Sequence, residues 1–124
     1  MYPAESDHGV DVDALSRANV LFAVARTGNG HAVACGAIVL EAPYGEIKRM
    51  FTTPAFRGQG IAGRLLSFLE SEARSRGCQQ FVLETGFRQV EAIALYEHFG
   101  YKRCGPFGAY TDDPNSVFMA KAAS

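Results

Sequence analysis

Two hydrophobic rhythms divide this chain. Through residues 19–26 (NVLFAVAR), Val20, Phe22 and Val24 alternate with Leu21 and Ala23, the two-residue period of a strand. Residues 31–40 (HAVACGAIVL) form a second apolar run, and the Thr27-Gly28-Asn29-Gly30 turn between them predicts an antiparallel hairpin. Pro43 and Gly45 turn the chain again. Residues 46–53 then read as a third strand, with Ile47, Arg49, Phe51 and Thr53 on one face and Glu46, Lys48, Met50 and Thr52 on the other. Beyond Pro54 the period lengthens. Ile61, Leu65, Phe68, Leu69 and Ala73 recur at helical spacing, and Arg74, Arg76 and Gly77 mark the helix end. Residues 80–85 (QFVLET) predict a strand, and residues 89–99 a second helix with Ala92, Leu95, Tyr96 and Phe99 inward. A strand begins at residues 101–104, a Gly- and Pro-rich loop fills 105–115, and residues 116–121 (SVFMAK) close the chain. Residues 1–19 are an irregular lead-in, within which 11–18 predict a short helix with Val12 and Leu15 inward.

The order β-β-β-α-β-α-β-β is an α+β pattern: a mixed, mostly antiparallel sheet with one βαβ crossover and helices on its faces. At 124 residues the chain is expected to be one domain over positions 1–124. Composition removes several classes of function. A net charge of −1 argues against nucleic acid as a partner. No apolar run approaches the roughly 20 residues that span a bilayer, so no membrane association is expected. The acidic start, MYPAESDHGVDVD, has no signal-peptide character, and a cytoplasmic location is expected. Cys35, Cys78 and Cys104 are odd in number and lack a CxxC, which predicts reduced, mostly buried thiols. No His, Cys, Asp or Glu cluster has metal-ligand spacing, and no metal is expected.

The chemistry concentrates at residues 57–63 (RGQGIAG), where a strand passes through a glycine-rich turn into a helix. Unpaired first-turn amides, the positive end of the helix dipole and the Arg57 charge make a seat for an anion, most often a phosphate. Gly58-Gln59-Gly60-Ile61-Ala62-Gly63 also spells G-x-G-x-x-G, with Glu84 some twenty residues on, as in dinucleotide-binding folds. Three features oppose that reading. The preceding strand carries Lys48 and Arg49, four residues separate strand from glycines, and there is a single crossover. No Gly-Lys-Ser/Thr follows, so a P-loop is excluded. A plain helix start, with the glycines serving chain reversal, is the remaining alternative.

Arg57-x-x-Gly60-x-Ala62 resembles the pyrophosphate-binding signature Arg/Gln-x-x-Gly-x-Gly/Ala of the GNAT superfamily of N-acetyltransferases. Residues 92–101 (AIALYEHFGY) are similar to its second signature, A-x-x-L-Y-x-x-x-G-F/Y, and the likeness extends over about residues 20–121. The resemblance implies acetyl-CoA as acetyl donor, held between splayed strands at 46–53 and 80–85. Backbone groups of Met50, Phe51 and Thr52 would meet the pantetheine arm. The amides of Gly58, Gln59, Gly60, Ile61, Ala62 and Gly63, with the Arg57 side chain, would hold the pyrophosphate.

Tyr96 matches the family tyrosine that serves as general acid toward the sulfur, the other reading being a core tyrosine with its hydroxyl satisfied. Glu46 would be the general base, directly or through water, against the reading of an exposed residue at a strand start; Glu84 is a second candidate. A backbone N–H near Met50 would face the oxyanion. Gln89 stands where the family commonly has Asn. The acceptor would be a small-molecule or peptide amine; Asp112 and Asp113, in the loop before the last strand, read first as a solvated loop, the other reading being an entrance that favours a cationic amine. The family's usual front end is short here, so the resemblance also implies a shortened domain or a homodimer whose partner completes the acceptor wall. The rival readings are a catalytically inactive acyl-CoA-binding module of this fold and a nucleotide-binding regulatory domain.

Overall fold

A computed structural model of the chain describes residues 11–17, 19–41 and 43–123. The alternating segments form β2 (Val20–Arg26), β3 (Ala32–Glu41) and β4 (Tyr44–Thr52), joined as successive antiparallel neighbours. Ahead of them, the short helix expected over 11–18 is instead a strand, β1 (Asp11–Arg17), paired antiparallel with β2 from Asp11↔Arg26 to Arg17↔Val20. Over so few residues Val12 and Ala14 suit a two-residue period as well as a helical one. The unpaired edge of β2 decides between them, because its ladder groups need partners. Val12 packs against the core, and Ala18 lies outside the described residues.

After a single 3₁₀ turn at Pro54–Phe56 come α1 (Ile61–Ser75), β5 (Gln80–Gly86), α2 (Val90–His98), β6 (Lys102–Cys104) and β7 (Ser116–Ala122). One seven-stranded sheet results, in the order β1-β2-β3-β4-β5-β7-β6. β4 and β5 are parallel and the other pairs antiparallel, as the α+β reading requires.

The α1 side chains of Leu65, Leu66, Leu69 and Ala73 are buried in one core with Leu21, Ala23, Ala25, Ile38, Ile47, Phe81 and Leu83 from the sheet. Phe68, expected inward, is only half-buried, and Leu66 takes its place. α2 buries Ile93 and Tyr96, while Ala92, Leu95 and Phe99 stay half-exposed. The thiols are free, as expected, but not mostly buried: Cys35 and Cys78 are half-buried and Cys104 is exposed.

One charged side chain joins this core. Glu70, 2% exposed, accepts bonds from the Tyr101 hydroxyl at 2.6 Å, Lys121 Nζ at 2.9 Å and an Arg74 Nη at 3.4 Å. The network ties α1 to β7 and to the chain leaving α2.

Two irregularities of β4 shape everything that follows. Its pairing with β5 runs only from Tyr44↔Gln80 to Ile47↔Leu83; beyond that the two strands part. From Lys48 to Thr52, β4 has therefore lost its β5 neighbour. On its other side, the register with β3 slips between Cys35↔Phe51 and Ala37↔Lys48, so two β4 residues oppose Gly36. This bulge overturns the simple alternation expected for residues 46–53. Met50 is carried onto the Ile47 side, over Gly36, where an added Cβ would meet the Met50 sulfur. Phe51 and Lys48 share the opposite face.

Candidate functional site

The parting strands open a gap, and two clefts meet in it. The first, about 400 Å³, runs from Met50, Phe51 and Thr52 past Arg57, Gly58, Gly60, Ile61, Ala62 and Gly63 to Gln89, Ala92, Leu95 and Tyr96. The second, about 340 Å³, is bounded by Glu46, Ile47, Lys48, Glu84, Thr85 and Tyr110. Met50, Gln89, Ala92 and Tyr96 wall both. The two signatures, far apart in sequence, thus face one groove.

At the first cleft's outer end the backbone is set for an anion. Gly58 and Gly60 both take φ of 79°, the left-handed region that costs an L side chain energy, and neither has a heavy atom within 4 Å of an added Cβ. They serve conformation, not close packing. Gly60 caps α1 without any side-chain cap, and no acidic residue occupies the first turn, so its amides and the positive dipole end remain available. Arg57 Nε donates to the Thr52 carbonyl at 3.0 Å, and the guanidinium lies 5.8 Å from the Phe51 ring. That contact fixes the exposed guanidinium beside the turn while employing only one of its donors. Gln59 is absent from the cleft wall; its Nε2 donates to the Ala55 carbonyl at 3.4 Å.

At the inner end, the β4 edge from Lys48 to Thr52 offers backbone groups to an extended ligand, in the manner of an added strand. Tyr96, 6% exposed, stands where the clefts join. Its ring packs edge-on to Tyr101 at 5.6 Å, yet among the described residues its hydroxyl has no hydrogen-bond partner. A core tyrosine with a satisfied hydroxyl is not what the geometry presents. Burial pushes the phenol up to about 12, so it remains protonated at neutral pH.

Glu46 is neither exposed nor at a strand start: it is 9% exposed, two residues inside β4. Its Oε2 accepts from the Tyr110 hydroxyl at 2.7 Å and lies 3.8 Å from Lys48 Nζ. Glu84 lines the same cleft and accepts from the Ser116 hydroxyl at 2.7 Å. Asp113 has a structural task, its Oδ1 accepting from the Asn115 amide at 2.8 Å to hold a turn. Among the described residues no cluster of His, Cys, Asp and Glu is arranged for a metal.

Sequence reasoning missed Tyr110 and Ser116. Tyr110 lies 64 positions from Glu46, in a loop without periodicity. An aromatic pair, Phe107 and Tyr110, within a Gly- and Pro-rich loop was the available signal. Hydrogen bonding to Glu46, then burial and the charges of Glu46 and Glu84, push the Tyr110 phenol up to about 12.

Comparison with known proteins points the same way. The family model of the acetyltransferase (GNAT) family matches residues 2–101. An IAA acetyltransferase from Azospirillum brasilense is 48% identical over 123 residues, 98% of this chain and 80% of the relative. An uncharacterized N-acetyltransferase from Bacillus subtilis, YsnE, is 40% identical over 98% of this chain and 82% of its own length. Among solved structures, a Klebsiella pneumoniae protein assigned as an acyl-CoA N-acyltransferase superposes with a TM-score of 0.90 at 33% identity, covering 95% of this chain and 100% of that one.

Proposed function

The chain belongs to the GNAT family of acetyl-CoA-dependent acetyltransferases, and from that premise we propose that it acetylates a primary amine by direct attack on the thioester. The observation that carries this reading is Tyr96, buried at the junction of two clefts with its hydroxyl unpartnered among the described residues. The Arg57–Gly63 end of the first cleft takes the pyrophosphate, the β4 edge at Met50, Phe51 and Thr52 takes the pantetheine arm, and Gln89 flanks the thioester. The amine enters through the second cleft.

Glu46 takes the proton that the ammonium must lose, and the neutral nitrogen attacks the carbonyl carbon. A C–N bond forms, the oxyanion is held by a backbone N–H near Met50, and the C–S bond then breaks as the nitrogen, cationic after attack, gives up its second proton to the departing thiolate or to solvent. Tyr96 donates to the departing sulfur. With the phenol at about 12 and a thiol near 8.5, complete proton transfer is uphill by roughly 5 kcal/mol. The phenol therefore stabilises the thiolate chiefly through a charge-assisted hydrogen bond.

The test is acetyl-CoA turnover with putrescine, spermidine, L-lysine, kanamycin and a short alanyl peptide, read by thiol release and product mass. An acetylated amine from at least one is expected. CoA binding without acetyl transfer to any would favour the inactive acyl-CoA module. Glu46→Gln is expected to lower kcat about 100-fold, the low end of general-base contributions, with CoA affinity unchanged. A wild-type rate would move the base elsewhere.

Arg57→Ala removes an exposed side chain, so the fold should stand. Loss of a charged hydrogen bond of roughly 1.5–3 kcal/mol should raise the Kd for CoA about 10- to 100-fold in calorimetry. Equal affinity would refute the pyrophosphate assignment.

A further inference from the structure

We propose that Tyr110 is a positioning residue for the reaction, holding the Glu46 carboxylate so that its second oxygen faces the incoming amine. This deepens the reading of Glu46 as base and rests on it. The terminal torsion of a glutamate is soft and nearly two-fold, so an untethered carboxylate presents either oxygen over a broad range of angles. Here both polar neighbours engage one atom: the Tyr110 hydroxyl at 2.7 Å and Lys48 Nζ at 3.8 Å lie on Oε2. Oε1 carries no hydrogen bond among the described residues, and the side chain walls the second cleft. One oxygen is anchored and the other is free to accept a proton.

The anchor is itself braced. The Tyr110 ring meets Phe107 at 5.1 Å and Phe118 of β7 at 5.6 Å, both edge-on. Phe107 in turn contacts Phe118 at 5.7 Å and Tyr44 of β4 at 6.0 Å. The Tyr110 amide donates to the Phe107 carbonyl at 3.0 Å, closing a turn. Just past the loop, at the first residue of β7, Ser116 holds Glu84. Loop 105–115 is thereby stitched across the face of the sheet opposite α1, and it supplies a wall of the second cleft. Because the ring contacts fix the phenol, the hydroxyl direction is set before any acceptor arrives, which is what preorganisation requires.

The experiment is a double-mutant cycle of Tyr110→Phe and Glu46→Gln, measured with whichever of the five amines turns over fastest. Tyr110→Phe keeps the ring and its packing, so circular dichroism and CoA affinity should match wild type. Its kcat should fall about 10- to 100-fold, the scale of a misplaced catalytic group. In the Glu46→Gln background the same change should cost less than 2-fold. Equal losses in both backgrounds, or no loss in either, would overturn the proposal. If Glu46→Gln alone keeps the wild-type rate, the base assignment has failed, which is a separate result.

A readout needing no acceptor is the alkaline absorbance change of Tyr110, taken as wild type minus Tyr110→Phe. Glu46, Glu84, Tyr44 and Lys48 are the ionisable groups about it. In Glu46→Gln its midpoint should drop from about 12 toward the ordinary 10.0. An unchanged midpoint would deny the contact.

Discussion

Tyr96→Phe is expected to lower kcat by about 100- to 1,000-fold while leaving the Kd for CoA within about 2-fold, because one preorganised donor at a developing charge contributes on that scale. The ring and its edge-on contact with Tyr101 survive the substitution, so packing is preserved and only the hydroxyl is lost. That hydroxyl has no protein partner among the described residues, so its removal leaves no orphaned group behind. For the same reason the variant should be at least as thermally stable as wild type. The pH profile carries a second check. A phenol at about 12 keeps its proton throughout the physiological range, so Tyr96 should impose no loss of kcat on the alkaline side up to about pH 10. Full turnover in Tyr96→Phe would remove the residue from the mechanism.

The second large effect concerns the fold. Glu70→Ala should destabilise by about 3–5 kcal/mol, since it strands Lys121, only 19% exposed at its side chain, and the buried Tyr101 hydroxyl. Against a total of roughly 5–15 kcal/mol this is a large fraction. A fall in Tm of about 10–20 °C by circular dichroism is expected. Arg74, half-exposed and 3.4 Å away, adds little to that loss. Tyr101→Phe should cost less, as it leaves Glu70 paired with Lys121. Burial, followed by the bond to Glu70 and its charge, pushes the Tyr101 phenol far above its ordinary 10.0. A raised folded-state value means that this stability is complete below about pH 10 and is lost only as pH climbs toward the folded phenol's own value. A Tm change of only a few degrees in Glu70→Ala would show that the network contributes little.

The parts of this molecule legible in its sequence are those written in local periodicity. The hairpin, α1, β5 and α2 follow from alternation, helical spacing and glycine stops. The turn at Arg57 and the helix bearing Tyr96 were visible as two signatures, and the crossover brings both to one groove. What escaped depends on partners distant along the chain. The strand at Asp11–Arg17 forms because β2 has an edge to fill, which no local pattern states. Met50 changes face through a bulge against Gly36, a matter of pairing register. Glu70 reads as one more polar position on an amphipathic helix until Tyr101 and Lys121 fold onto it. Tyr110 sits in an aperiodic loop whose role exists only once β7 lays it beside Glu46.

The central claim is that acetyl-CoA lies along the β4 edge with its thioester at the meeting of the two clefts. A crystal structure of the acetyl-CoA complex tests it most directly. The thioester sulfur should lie within about 3.5 Å of the Tyr96 hydroxyl, with the pyrophosphate on the amides after Gly58. A sulfur remote from Tyr96, or a pyrophosphate seated away from the Arg57 turn, would contradict it.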